Sequence, residues 1–543
     1  MKINILPNSN KPSSKIVLLW IICFSIVIFT LQTWRIFSLN ATYDQGLFLQ
    51  EIWNTLQGRP FESTLASELS SPVKFEGELP ELGYRHLAQH FTPLLAIWAP
   101  LVGLIGIWSL PFIQVAVIAS AGWVLFLLGK EYLPEQLAGW IACSFFTTGT
   151  VLGPSLENFH DLCIIPLLVF SLILGISREQ KLLYFIPALL LPLVREDVGL
   201  MTFSIGIWMV FRKPNWRVWG IGLCIYALTA VLIITNQIMP LFGSELSTRF
   251  IQERFGQYLN GETGGTIDVL ISMAKQPGLL LKELISPIGS TVRLFVTLFL
   301  PLAFIPLLSI DVWFLIAVPL FVALSSQGGN AMSVHLRFML YLVPGVFAGS
   351  IFWWSKKHHL FQVKRYQSIW KICMVIGIFF TLTGNPHRSL SVIIPDSIDP
   401  WVHIPIHKQL IRGVNAQNLF SLIPPDSSVA AETHLIPQLS ERRILLRFPE
   451  NYMYKDLNGK RKEVDYIISQ PAYNADYSSA FRHHRIWVLR SNQTLEKLVN
   501  SKAYGVYYCD PYSIILRKDL QSLAKDKKCM ATQLKKTMRK SLQ

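Results

Sequence analysis

Apolar residues in this chain come in long uninterrupted runs, and polar residues collect between them. The runs lie at about 16–37, 108–129, 134–156, 162–177, 182–194, 198–211, 218–240, 292–309, 311–325, 338–354 and 372–384. A helix needs roughly 20 apolar residues to cross a bilayer core, so the pattern predicts about eleven membrane-spanning helices. The shorter runs must borrow length from their flanks or thin the bilayer. A further run, 92–107, is decided by charge. If it does not cross, Lys130, Arg178, Lys181, Arg212, Lys213, Arg217 and the segment from Lys356 to Lys371 all share the side of the N-terminus. The positive-inside rule makes that side cytoplasmic. If it crosses, every one of these clusters moves outside, so the first threading is preferred.

That threading sets the expected organisation. Residues 1–15 are a cytoplasmic N-terminus and 16–384 a transmembrane domain with outer loops 38–107 and 241–291. Residues 385–520 form a soluble, extracytoplasmic α/β domain, and 521–543 a basic tail. The first run follows Lys2, Lys11 and Lys15 and is longer than a signal-peptide core, so it reads as an uncleaved signal anchor. Within the first loop, Leu49, Ile52, Trp53 and Leu56 recur at helical spacing opposite Gln45, Gln50, Glu51, Asn54 and Gln57. This predicts an amphipathic helix on the membrane surface. Residues 92–107 are expected as a second, more apolar surface or re-entrant helix, with Pro93 in its first turn. Gly256, Gly261, Gly264 and Gly265 divide the second loop into short helices. Beyond 385 the texture changes to short β-rich runs at Val429–Ala431, Arg443–Phe448, Val464–Ser469, Arg485–Arg490 and Gly505–Arg517.

Composition agrees: 51% of residues are hydrophobic and only 15% charged, against about 25% charged in soluble domains. Of the net charge of +15, residues 385–543 carry +10. That excess suits an anionic lipid surface or acidic partners, and equally serves solubility. No nucleic-acid motif accompanies it. Five cysteines fall in apolar segments; Cys509 and Cys529 share the C-terminal domain and would pair in an oxidising compartment.

Ionisable residues beside membrane spans cost roughly 2.5–3.5 kcal/mol each on insertion scales, so each group asks for a reason. Four groups fall on the outer side. Tyr43 and Asp44 follow the first span; Asp44 is read as an N-cap or a catalytic carboxylate. Glu157, Asn158, Phe159, His160 and Asp161 separate the third and fourth spans, where they cap a helix, bind a cation through oxygen, or orient a substrate. Arg195, Glu196 and Asp197 either neutralise one another or hold a phosphate while a carboxylate takes a proton. His335 and Arg337 start the tenth span; a guanidinium fork suits phosphate, and an interfacial anchor is the plainer reading. His86 and His90 are spaced for one helical face, but two histidines make a weak zinc signal.

The ordered set Tyr43-Asp44-Gln45-Gly46-Leu47-Phe48, His90-Phe91-Thr92-Pro93, Asn158-Phe159-His160-Asp161 and Arg195-Glu196-Asp197 resembles a large bacterial and archaeal family of predicted membrane proteins, domain of unknown function twenty seventy-nine. The resemblance covers about 40–350 and continues more weakly through Ile423-Pro424-Pro425 to about 470. That family is similar in layout to the GT-C class of glycosyltransferases, which take a sugar from a polyprenyl-phosphate carrier on the extracytoplasmic side. The resemblance implies a mainly α, polytopic, GT-C-like membrane protein with a small C-terminal α/β domain. It implies catalytic roles for Asp44, as base, and for Glu157 and Asp161. Substrate-binding roles go to Tyr43, His90, His160, Arg195, Glu196, Asp197, His335 and Arg337.

The implied partners are a polyprenyl-phosphate-linked sugar donor, an acceptor (glycan, lipid or protein) and membrane lipids, with no nucleic acid. No metal site is expected, because an Asp-x-Asp pair is lacking; a divalent cation, Mg or Mn, is the one cofactor left open. The implied location is the cell (inner) membrane. Two rivals remain: a lipid or solute transporter or flippase, and a non-catalytic membrane scaffold. The one-sided gathering of charge and the lack of an internal repeat favour the enzyme over a transporter.

Overall fold

The computed structural model describes residues 13–243, 246–259 and 265–542. The expected N-terminal cytoplasmic segment therefore lies almost wholly outside the described residues. Six described helices are long and apolar enough to cross a membrane, or seven if the bent pair Pro277–Ile285 and Ile288–Leu302 is one span. Three shorter apolar helices, Lys181–Val194, Val198–Arg212 and Ile310–Ser325, match further runs. The run 134–156 becomes two helices, Glu135–Thr147 and Gly149–Leu156, parted at Thr148. The architecture is thus the mainly helical, multi-span one that the runs predict, with a small C-terminal sheet.

The chain divides into two compact units. The first holds Met1–Thr30, Leu87–Leu95 and Pro111–His387. Small residues let its helices approach closely, as membrane helices require when lipid supplies no hydrophobic drive. Gly345 and Gly349, four apart, face the helix Ile310–Ser325. A Cβ on Gly349 would lie 2.5 Å from the backbone nitrogen of Val312. That helix also meets Val198–Arg212, where Ser204 donates to the Phe314 carbonyl at 2.8 Å. Arg212 and Trp208 donate to Asp311 at 2.9–3.1 Å. The second loop forms short helices at Leu246–Phe255, Thr266–Lys275 and Pro277–Ile285; the first ends before Gly256, the last two part at Gln276 and Pro277, and Gly261 and Gly264 lie outside the described residues.

The second unit holds Leu31–His86, Ala96–Leu110 and Arg388–Gln543. Most of the first outer loop therefore belongs with the C-terminal region. A five-stranded sheet runs in the order Leu445–Arg447, Val429–Ala431, Tyr466–Ser469, Ile514–Lys518, Tyr504–Cys509. The first three strands are parallel and the last two antiparallel. Ala430, Leu446, Ile467, Val506 and Leu516 pack on Leu495, Leu498, Val499, Met530 and Leu534 of two helices. The last of these helices, Ala524–Leu542, is the stretch read from sequence as a basic tail, and a Cys509–Cys529 disulfide ties it to the sheet.

Two local expectations are corrected. Arg485–Arg490 is not a strand but part of the helix Arg482–Asn500. Its buried positions, His484, Val488, Ser491, Leu495 and Leu498, follow the helical period, which a six-residue window hides. The helix Tyr43–Leu56 does not leave its polar face in water: Gln45, Gln50, Glu51 and Asn54 are all buried. Gln50 accepts from Ser63 and Leu65 and donates to the Arg442 carbonyl, while Glu51 bonds His86. Residues 92–107 form a 3-10 turn and the helix Ala99–Ile105, broken at Gly106 with φ +54°. Gly103 there lets Leu56 approach to 2.7 Å of where a Cβ would stand.

Candidate functional site

Three consecutive residues between two short apolar helices organise the site in the first unit. The helix Lys181–Val194 contains Pro187 and Pro192 and ends in extended backbone at Arg195. The next helix starts at Val198. Over so short a link the side chains diverge, and each finds a different partner. Arg195 meets Asp161 side-on, with Nε–Oδ2 at 2.8 Å and Nη2–Oδ1 at 3.1 Å. Glu196 accepts from the Phe91 N–H at 2.9 Å and lies 3.0 Å from His90 Nδ1. Asp197 accepts from the Tyr341 hydroxyl at 2.6 Å and from Arg254 at 3.2 Å.

A fourth pair closes the cluster. Glu157 takes the Arg337 guanidinium at 2.8 Å and the Arg337 backbone N–H at 2.7 Å. Gly153 makes this possible, since a Cβ there would stand 2.6 Å from His335 Cα. Gln114 braces the turn, donating to the carbonyls of Pro154 and Ser155 and accepting from the His160 N–H. Burial, with Arg337 and Arg195 nearby, holds His160 well below the usual histidine range, so its ring is neutral. Burial works against the charge of Arg195, but Asp161, with Tyr341, Asp197 and Glu196, outweighs it and keeps that guanidinium ionised.

These pairs border a cavity of about 360 Å³, within the range of small-molecule sites. Its lining mixes charged and polar residues (Arg195, Arg254, Arg337, Asp197, His90 and Tyr341) with apolar ones (Leu200, Met201, Pro319, Val322 and Leu342). A lining with both cations and apolar residues is compatible with a lipid head group and its chain. The same geometry answers the cation question. The four carboxylates of these pairs already accept from arginine, tyrosine, histidine or backbone donors, so they do not fit a divalent cation. Among the described residues no group of three or more His, Cys, Asp or Glu is placed to hold one.

Residues 35–515 match the family model described as "Predicted membrane protein (DUF2079)". The chain belongs to the DUF2079 family. The match runs well past residue 350, through most of the second unit. No curated protein matches the chain. Solved structures similar to it include the following two. ArnT from Cupriavidus metallidurans, bound to undecaprenyl phosphate, is 9% identical, covers 93% of this chain and 98% of its own, and has a TM-score of 0.46. The Archaeoglobus fulgidus oligosaccharyltransferase, in complex with Zn and sulfate, is 11% identical, covers 93% and 73%, and has a TM-score of 0.40. At so low an identity and TM-score, neither likeness assigns a role to any residue.

In this DUF2079 chain the remaining expected residues are placed otherwise. His335 does not line the cavity; its carbonyl accepts from His387 Nε2 at 2.8 Å. His86 and His90 serve different carboxylates, Glu51 and Glu196. Tyr43 and Asp44 belong to the second unit. Asp44 lies in the first turn of the helix Tyr43–Leu56, whose N-cap is Thr42. An acid there complements the helix dipole.

Tyr43 forms a cluster that the sequence did not reveal. Its hydroxyl is 2.5 Å from the Leu65 carbonyl and 2.8 Å from Glu68 Oε2. Its one hydroxyl hydrogen is directed at both acceptors. Burial raises Glu68 to about 7, with its partners Arg447 and Asn451 acting the other way. Tyr341 and Arg254 were also missed. Tyr341 lies four residues after Arg337 in a 3-10 helix, where that spacing does not place two residues on one face. Arg254, in the short helix Leu246–Phe255 of the second outer loop, carries no signal either.

Proposed function

We propose that this protein is a membrane glycosyltransferase that takes a sugar from a polyprenyl-phosphate carrier and delivers it to an acceptor on the extracytoplasmic face. The observation that carries the reading is the cavity itself, which three guanidiniums line together with apolar helix residues. Arginine forks match phosphate oxygens in pairs. In transfer, the acceptor oxygen bonds the anomeric carbon as the bond to phosphate breaks, and the electron pair leaves on phosphate. Arg195, Arg254 and Arg337 stabilise that charge as it develops. Glu157 and Asp161 hold two of these arginines in place; Asp197, braced by Tyr341, holds the third. Asp44 remains the proposed base, on the strength of the motif it shares with the family. Asp197 and Glu253 are the carboxylates that line the cavity. A carboxylate is suited to taking the acceptor's proton.

The location follows from the same reading. The basic clusters at Lys130, Arg178, Arg212 and Lys356 share one side under the preferred threading, and they set it as cytoplasmic. The Cys509–Cys529 disulfide suits an oxidising outer compartment.

The test uses the protein in nanodiscs with undecaprenyl phosphate as probe and a polyprenyl-linked hexose as donor. Arg337→Lys keeps the charge but loses the fork; it should weaken probe binding at least tenfold. Asp44→Asn should bind the probe normally and transfer nothing. Movement of the probe across the bilayer without any transfer by the native protein would replace the enzyme with a flippase.

A further inference from the structure

The second unit contains a cavity of about 270 Å³ that the proposed transfer reaction does not use. Two helices line it at the helical period. Ile406–Phe420 contributes Lys408, Ile411, Arg412 and Asn415; Ala524–Leu542 contributes Gln533, Lys536, Thr537 and Lys540. In both, the spacing i, i+3, i+4, i+7 places all four on one face. The helix Pro471–Tyr477 adds Tyr473 and Asp476, and Tyr512 stands at the rim.

Two features separate this cavity from an ordinary basic surface. The first is its charge. Four cations line it against one acid, and Asp476 pairs with both Arg412 and Lys540. The second is Gln533. The residue is 6% exposed, and neither its amide oxygen nor its amide nitrogen has a hydrogen-bond partner. A buried amide left unmatched carries an uncompensated desolvation cost at each group. Both atoms are covered; with the amide turned toward the cavity, a ligand that brings both a donor and an acceptor would match them. Hydroxyl groups do both. The walls also hold an aromatic face, the Tyr473 ring, stacked on His434 at 3.8 Å and approached by Arg412.

We propose that this cavity binds a small anionic carbohydrate, with hydroxyls on Gln533 and an oxyanion between Lys408, Arg412, Lys536 and Lys540. A sugar phosphate and a uronic acid share that chemistry. The volume, just under the usual range for drug-sized ligands, admits about one sugar ring.

The experiment titrates full-length protein in nanodiscs with glucose 1-phosphate, glucuronate and neutral glucose by calorimetry. One of the two anions binds at least tenfold more tightly than glucose, and which one does so identifies the oxyanion. Gln533→Met, nearly the same shape, weakens that anion at least tenfold while leaving the melting temperature unchanged or higher, because an unmatched amide has been removed. Lys536→Gln, an exposed change that cannot harm folding, weakens it at least threefold. Equal binding of anion and glucose, or no binding of either anion at millimolar concentration, overturns the proposal. So does unchanged anion affinity in both variants.

Discussion

The two cavities treat buried polarity in opposite ways. In the first unit each carboxylate of the paired cluster meets a donor of its own: Asp161 has Arg195, Glu157 has Arg337, Asp197 has Tyr341 and Arg254, and Glu196 has His90. In the second, cations outnumber acids, the Gln533 amide has no partner, and Glu68 elsewhere in that unit is raised to about 7 by burial despite Arg447 beside it. A matched network is rigid before anything binds, and it presents arginines whose direction is fixed. An unmatched wall gains its partners only when a ligand arrives. The first arrangement suits stabilising charge that appears during a reaction; the second suits holding a molecule.

The largest expected break in this contrast comes from Arg195→Leu. It strands Asp161 as an uncompensated buried charge and should cost about 3–5 kcal/mol. Adding Asp161→Leu should recover most of that loss in thermal unfolding of purified protein. Two losses that simply add would mean the pair is not a matched one.

Glu68 gives the next effect, and its sign is opposite to that of a salt-bridged acid. Burial lifts its folded value to about 7 from an ordinary 4.5. Between those values the folded chain keeps a proton the unfolded chain has lost. Its contribution is therefore complete below pH 4.5 and disappears as pH rises through about 7, a change of about 3 kcal/mol. Glu68→Gln should flatten that part of the pH–stability profile. A profile unaltered by the substitution would assign the proton elsewhere.

Gly153→Ala is smaller. The added methyl meets the His335 backbone and should push Arg337 from Glu157, costing about 1–3 kcal/mol. Denaturant unfolding measures the cost, and undecaprenyl phosphate affinity should fall with it. Tyr341→Phe removes one bond to a charged acceptor, worth about 1.5–3 kcal/mol before relaxation. Since Arg254 still holds Asp197, the net loss in unfolding free energy should fall at or below the lower figure.

How much of this was legible depended on whether the signal was local. The membrane runs were, because length and apolarity are properties of one segment. Arg195, Glu196 and Asp197 stood out for the same reason: three charges between two apolar runs. Their division among Asp161, His90 and Tyr341 was not legible, because it is fixed by helices far apart in sequence. The polar face of Tyr43–Leu56 was misjudged by the same logic. Periodicity reports that a face is polar, not whether water or the rest of the unit will satisfy it. Arg485–Arg490 failed for want of length, and Gln533 showed nothing in sequence, since only packing reveals an amide without partners.

The central claim is that the arginines of the first unit receive a lipid phosphate. Cryo-electron microscopy of the protein in nanodiscs with undecaprenyl phosphate tests it most directly. Phosphate density within hydrogen-bond distance of Arg195, Arg254 or Arg337, with the chain running along Leu200, Val322 and Leu342, is the expected result. A phosphate seated elsewhere, with this cavity filled only by water, would contradict it.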